Sequence, residues 1–144
     1  MTVRGLITIV LTMSACASGL PQPVAIDLGR DVCAHCRMVI SSRATAAQIV
    51  SPGEEPRLFD DIGCLRSDIA GTPPPAGSLI VVADHVTGDW LVLEDAVLTE
   101  VPQLQTPMGS GLIAHRSTLD RDGDPAARGG RPVAASALLG GGRR

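Results

Sequence analysis

Lysine and tyrosine are absent from this 144-residue chain, and tryptophan and phenylalanine occur once each. Without aromatic bulk the core has to come from Val, Leu, Ile and Ala, which bury less area per residue. A modestly stable fold is therefore expected, one that metal binding would reinforce by mass action. The basic residues are all Arg, form no stripe, and leave a formal net charge of -3, so nothing points to phosphate-backbone binding and no nucleic-acid partner is expected. Gly-x-Ser-x-Gly, a phosphate-cradling loop and His-Glu-x-x-His are all missing, so a binding protein is expected rather than an enzyme. The length suits one compact domain or two very small units sharing a core.

No apolar run is long enough to span a bilayer. The longest, Gly5 to Met13, is about nine residues, against about 20 for a spanning helix. Arg4 precedes it and Ser14-Ala15-Cys16 follows, the order of a secretory signal closed by a lipobox. Residues 1–15 are expected to be a lipoprotein signal peptide. Cys16 would be left as a diacylated amino terminus, stably anchored by more than one acyl chain. Residues 16–27, including Gly19-Leu20-Pro21-Gln22-Pro23, read as a tether. The expected location is the bacterial cell envelope, lipid-anchored and facing the periplasm or the exterior.

With Cys16 committed to lipid, Cys33, Cys36 and Cys64 remain, an odd number that fits a fully paired disulfide framework poorly. Cys33-Ala34-His35-Cys36-Arg37-Met38 brings two thiols within reach of one ion, with His35 between them and the Met38 thioether two residues on. Thiolate and thioether are soft donors and select Cu(I). A thiol–disulfide redox pair and a zinc or purely structural role remain open alternatives. No second Cys-x-x-Cys follows to close a zinc site. Cys64 is a secondary candidate beside His35; its place early in a helix favours a buried apolar role.

Ala44–Val50 and Arg57–Phe59 read as strands around the Ser51-Pro52-Gly53 turn. Asp60-Asp61 offers an N-cap for a helix over 62–69, stopped by Gly71-Thr72-Pro73-Pro74-Pro75, which reads as a linker. Leu79–Ala83 and Trp90–Leu93 read as a hairpin and Leu112–His115 as a strand, whereas 96–101 and 133–139 are ambiguous. A weak helix is expected over 125–128. Pro107 and two Gly put Met108 in a loop, as a packing residue or a ligand. The aspartates of 120–124 lack the Gly position and closing Glu of a calcium loop. His85 and His115, far apart in sequence, stay outside the candidate set.

Taken in order, several of these pieces resemble the NosL family, copper-binding lipoproteins linked to nitrous oxide reductase maturation. The matching stretches are the lipobox at Cys16, Cys33-x-x-Cys36-x-Met38 and Phe59-Asp60-Asp61-Ile62-Gly63-Cys64. Val82-Ala83-Asp84, Thr87-Gly88-Asp89-Trp90, Pro107-Met108-Gly109-Ser110-Gly111 and Gly129-Gly130 complete the set. The resemblance implies an α+β fold of two small ββαβ-like units over residues 28–135, the first about 28–72 and the second about 78–135, with 136–144 a flexible tail. It implies one Cu(I) held by Cys33, Cys36, Met38 and Met108. It also implies a recipient cuproenzyme, with the copper centre of nitrous oxide reductase as the family's client. Relatives usually carry Gly where Arg37 stands, so the resemblance implies an altered loop or a positive charge near the metal.

Overall fold

Short β-branched and apolar runs separated by Gly and Pro turns build two antiparallel sheets. The structure, a computed structural model, describes residues 19–140. The signal segment and Cys16 lie outside the described residues.

The first sheet holds β1 (Ala47–Val50), β2 (Arg57–Phe59), β3 (Leu79–Ala83) and β4 (Trp90–Val92), in the order β2-β1-β3-β4. Helix α1 (Ile62–Gly71) connects β2 to β3. Its cap is Asp61, whose backbone is extended and whose carboxylate accepts the Gly63 N–H. Ile62, Leu65 and Ile69 form its buried stripe, and Thr72 with the prolines after it ends the helix.

The second sheet holds β5 (Val97–Glu100), β6 (Leu112–His115) and β7 (Arg131–Val133), in the order β6-β5-β7. Between β6 and β7 lie α2 (Thr118–Gly123) and a 3-10 turn at Pro125–Ala127; α3 (Ala135–Leu138) closes the chain. In chain order the first sheet with α1 is a ββαβ unit extended by a fourth strand, β4, the second sheet with α2 is ββαβ, and the fold is α+β. The two share one core, in which Phe59, Ile62 and Leu65 cluster with Leu98, Leu112 and Leu138. Fully burying each such side chain contributes about 1.5–3 kcal/mol. No helix among the described residues is long and apolar enough to cross a membrane.

The structure shifts three expected boundaries. β3 pairs with β1 and β4 pairs with β3, neither with the later strands, so the first unit runs past residue 72 to β4. The Pro-rich stretch is a loop inside that unit rather than a linker between units. The supposed tether is docked by its second half. The buried Gln48 amide accepts the Val24 N–H at 2.9 Å and donates to the Val24 carbonyl at 3.1 Å, and Ile26 packs on the core. The supposed tail begins as α3, because Leu138 is buried in the shared core and Leu139 packs against it.

The single tryptophan, Trp90, stands on β4 with the Arg43 guanidinium 4.0 Å from its ring centre. The Arg43 Nε–H also donates to the Gly88 carbonyl at 2.8 Å, which fixes the cation over the ring.

Candidate metal centre

Cys33 and Cys36 sit at the tip of a narrow hairpin that precedes β1. Val32 and Val39 pair across it, the Cys33 N–H donates to the Met38 carbonyl at 2.8 Å, and the Arg37 N–H donates to the Cys33 carbonyl at 3.0 Å. This tight closure needs a left-handed residue at its corner. Arg37 supplies it, with φ 66, and is the one non-glycine at positive φ among the described residues. Arg37 thus adopts the left-handed conformation that suits glycine, and its side chain is accommodated under strain. A left-handed L-residue costs ~1–2 kcal/mol, and the extra freedom of an unfolded glycine returns ~0.5–1. Arg37→Gly is therefore expected to stabilise the protein by up to about 1 kcal/mol, read as a higher urea midpoint.

Two adjacent carboxylates hold the site from opposite sides. Asp60, buried at the end of β2, accepts the N–H groups of Ser41 and Ser42 at 2.7 and 3.1 Å and the Ser41 hydroxyl. That pins the strand leaving the cysteine hairpin. Asp61, wholly buried, caps α1 through the Gly63 N–H at 2.6 Å. Its second oxygen accepts the Thr106 hydroxyl at 2.6 Å and the Met108 N–H at 3.0 Å. Burial opposes its ionisation, but the Ser110 and Thr106 hydroxyls and the Gly63 and Met108 N–H groups hold its pKa below the ordinary carboxylate value. Gly63 makes the fit possible, because a Cβ there would lie 2.5 Å from that of Ser110. The sequence suggested these aspartates only as a helix cap; their clamp on two remote loops is the part it concealed.

The hairpin and the first turn of α1 bring three sulfurs together. Cys33, Cys36 and Cys64 Sγ all lie within 4.8 Å of one another, and all three are free thiols. Points no farther apart than 4.8 Å share a centre about 2.8 Å from each, near the ~2.3 Å of a metal–thiolate bond. Cys33 and Cys64 are buried, whereas Cys36 is partly open. Burial raises the Cys33 pKa, yet the backbone N–H groups of Cys36, Asp60 and His35 outweigh it and leave the thiol below its usual value. Burial, then the neighbouring charge of Cys33, pushes the Cys64 thiol well above its usual range. Cys64 therefore belongs to a cluster, where its place in the helix alone suggested a packing role.

The other expected ligands are distributed around this cluster. Met108, His35 and Cys64 line one open depression of about 310 Å³, with Arg66 and Ser110 on its wall. Met108 is 45% exposed. Met38 is 57% exposed and does not line that depression. His85 and His115, set aside on sequence grounds, converge instead on Asp124 in a separate cluster. Strand pairing between distant segments creates that second cluster, and no local motif signals it.

No family model matches the chain, and no curated protein matches it. Among solved structures it is similar to the copper chaperone NosL from Shewanella denitrificans, with a TM-score of 0.65 at 15% identity. The match covers 79% of this chain and 92% of that one. At this identity the likeness establishes a common fold.

Proposed function

We propose that this chain is a lipid-anchored, extracytoplasmic copper chaperone that carries one Cu(I) on Cys33, Cys36 and Cys64 and passes it to a recipient cuproenzyme. The convergence of three thiols in a fold shared with a copper chaperone is the observation that supports this reading. Sulfur donors favour Cu(I) over harder ions. Buried Cys33, held below the usual thiol pKa by backbone N–H groups, gives up its proton more easily than Cys64, and partly open Cys36 gives the incoming or departing ion a path. Met108, at the rim beside Cys64, adds a thioether that needs no deprotonation; Met38, exposed beyond Cys36, is an outer donor of the same kind. Delivery is ligand exchange without turnover. The copper centre of nitrous oxide reductase is the client to test first, and Cys16 is the proposed lipid attachment.

Competition against a chromophoric Cu(I) chelator under reducing conditions is expected to show one equivalent bound. Cys36→Ser and Met108→Ala should each weaken it at least tenfold, about 1.4 kcal/mol. Unchanged affinity in both would remove the assignment. A dithiol oxidoreductase would instead reduce insulin, and would do so equally well with both Met38 and Met108 replaced; no such activity is expected.

A further inference from the structure

We propose that His85, His115 and Asp124 form a second metal site, separate from the thiols and suited to a divalent ion of the Zn2+ class. His85 opens the turn after β3, and its N–H donates to the Ala114 carbonyl at 2.8 Å. Together with the bridge between Asp84 and Ala114, this docks the first unit's turn against the end of β6. His115, the last residue of β6, is wholly buried. Asp124 stands between α2 and the 3-10 turn. Its Oδ1 accepts the Ala126 N–H at 2.9 Å, which aims Oδ2 at both rings. His85 Nδ1 lies 2.7 Å from that oxygen and His115 Nε2 lies 2.9 Å from it.

These three ligand atoms lie within 4.8 Å of one another. Two imidazoles and one carboxylate are the donor set of many zinc centres, and they are harder than the thiol cluster. An ion entering between them takes the place of hydrogen on His85 Nδ1 and His115 Nε2: a neutral ring carries its one proton on the other nitrogen instead, and an imidazolium releases one of its two protons to solvent. Asp124 also borders an open depression of about 280 Å³, so water can complete the coordination shell. A hydrogen-bonded strut between the units would need only one ring.

The site is tested by titrating Co2+ into the reduced protein, both before and after one equivalent of Cu(I). In the Cu(I)-loaded protein one further Co2+ is expected, with visible d–d bands but no thiolate charge-transfer band, and displaced by Zn2+. His85→Gln and Asp124→Asn should each weaken that equivalent at least tenfold and leave Cu(I) binding unchanged. His85 is on a partly exposed turn, so His85→Gln alone decides if Asp124→Asn does not fold. Should neither metal bind outside the thiolates, or should Co2+ binding ignore His85→Gln, the site is overturned, whatever the outcome for Cu(I).

Discussion

Cys64→Ser is expected to lower Cu(I) affinity about a hundredfold, roughly 2.8 kcal/mol. The residue supplies one of three mutually close sulfurs, and serine removes the soft donor with little change in volume. The pH dependence should change with it. A thiol with a raised pKa is still protonated near neutrality, so an ion binding there must displace the proton. Affinity in the native chain should therefore climb with pH, and the slope should fall by about one proton in Cys64→Ser. The chelator competition repeated at several pH values measures both effects. An affinity and slope equal to those of the native protein would return Cys64 to simple packing.

Asp61→Ala should be the most destabilising single change near the site, by about 3–5 kcal/mol in urea denaturation. It strips one carboxylate from the Gly63 N–H, the Thr106 hydroxyl and the Met108 N–H at once, in a buried place where water does not substitute. Met108 should then lose its position, and Cu(I) affinity should fall by as much as in Met108→Ala. Thr106→Val, which removes one of these donors, gives a milder test if Asp61→Ala does not fold. The pH profile follows from the sign of the shift. Asp61 is held below its ordinary value of 3.8, as are Asp84 and Asp124. Their stabilisation is complete above that value and is lost as pH falls through the lower folded pKa values. Native stability should decline below about pH 4, and less steeply in Asp61→Ala. Parallel declines in the two proteins would show that Asp61 is not a source of the acid sensitivity.

Local patterns made much of the first unit legible. β1, β2, α1 and the β3–β4 hairpin were readable because each carries its own turn, cap or β-branched run. β5 was ambiguous because Val97–Glu100 takes its extended form from pairing on both sides, with β6 and with β7. Arg131–Val133 is an edge strand that owes its extended form to pairing with β5 alone. The division between units was unreadable for a related reason: a Pro-rich stretch looks like a linker unless it is known that β3 returns to β1. The Cys-x-x-Cys motif is local and was visible. The third sulfur depends on how α1 docks, and the His–Asp–His cluster depends on contacts across 39 and 9 residues. Such placements reside in tertiary packing rather than in any window of sequence.

The lone indole has a practical consequence. With no tyrosine in the chain, intrinsic fluorescence comes from a single ring, clamped under Arg43 on an outer strand of the first sheet. An unfolding trace followed by emission registers the loss of that stack and is blind to β5, β6 and β7. Any early opening around Met108 or His115 would pass unseen in such an experiment, so circular dichroism or amide exchange has to accompany it.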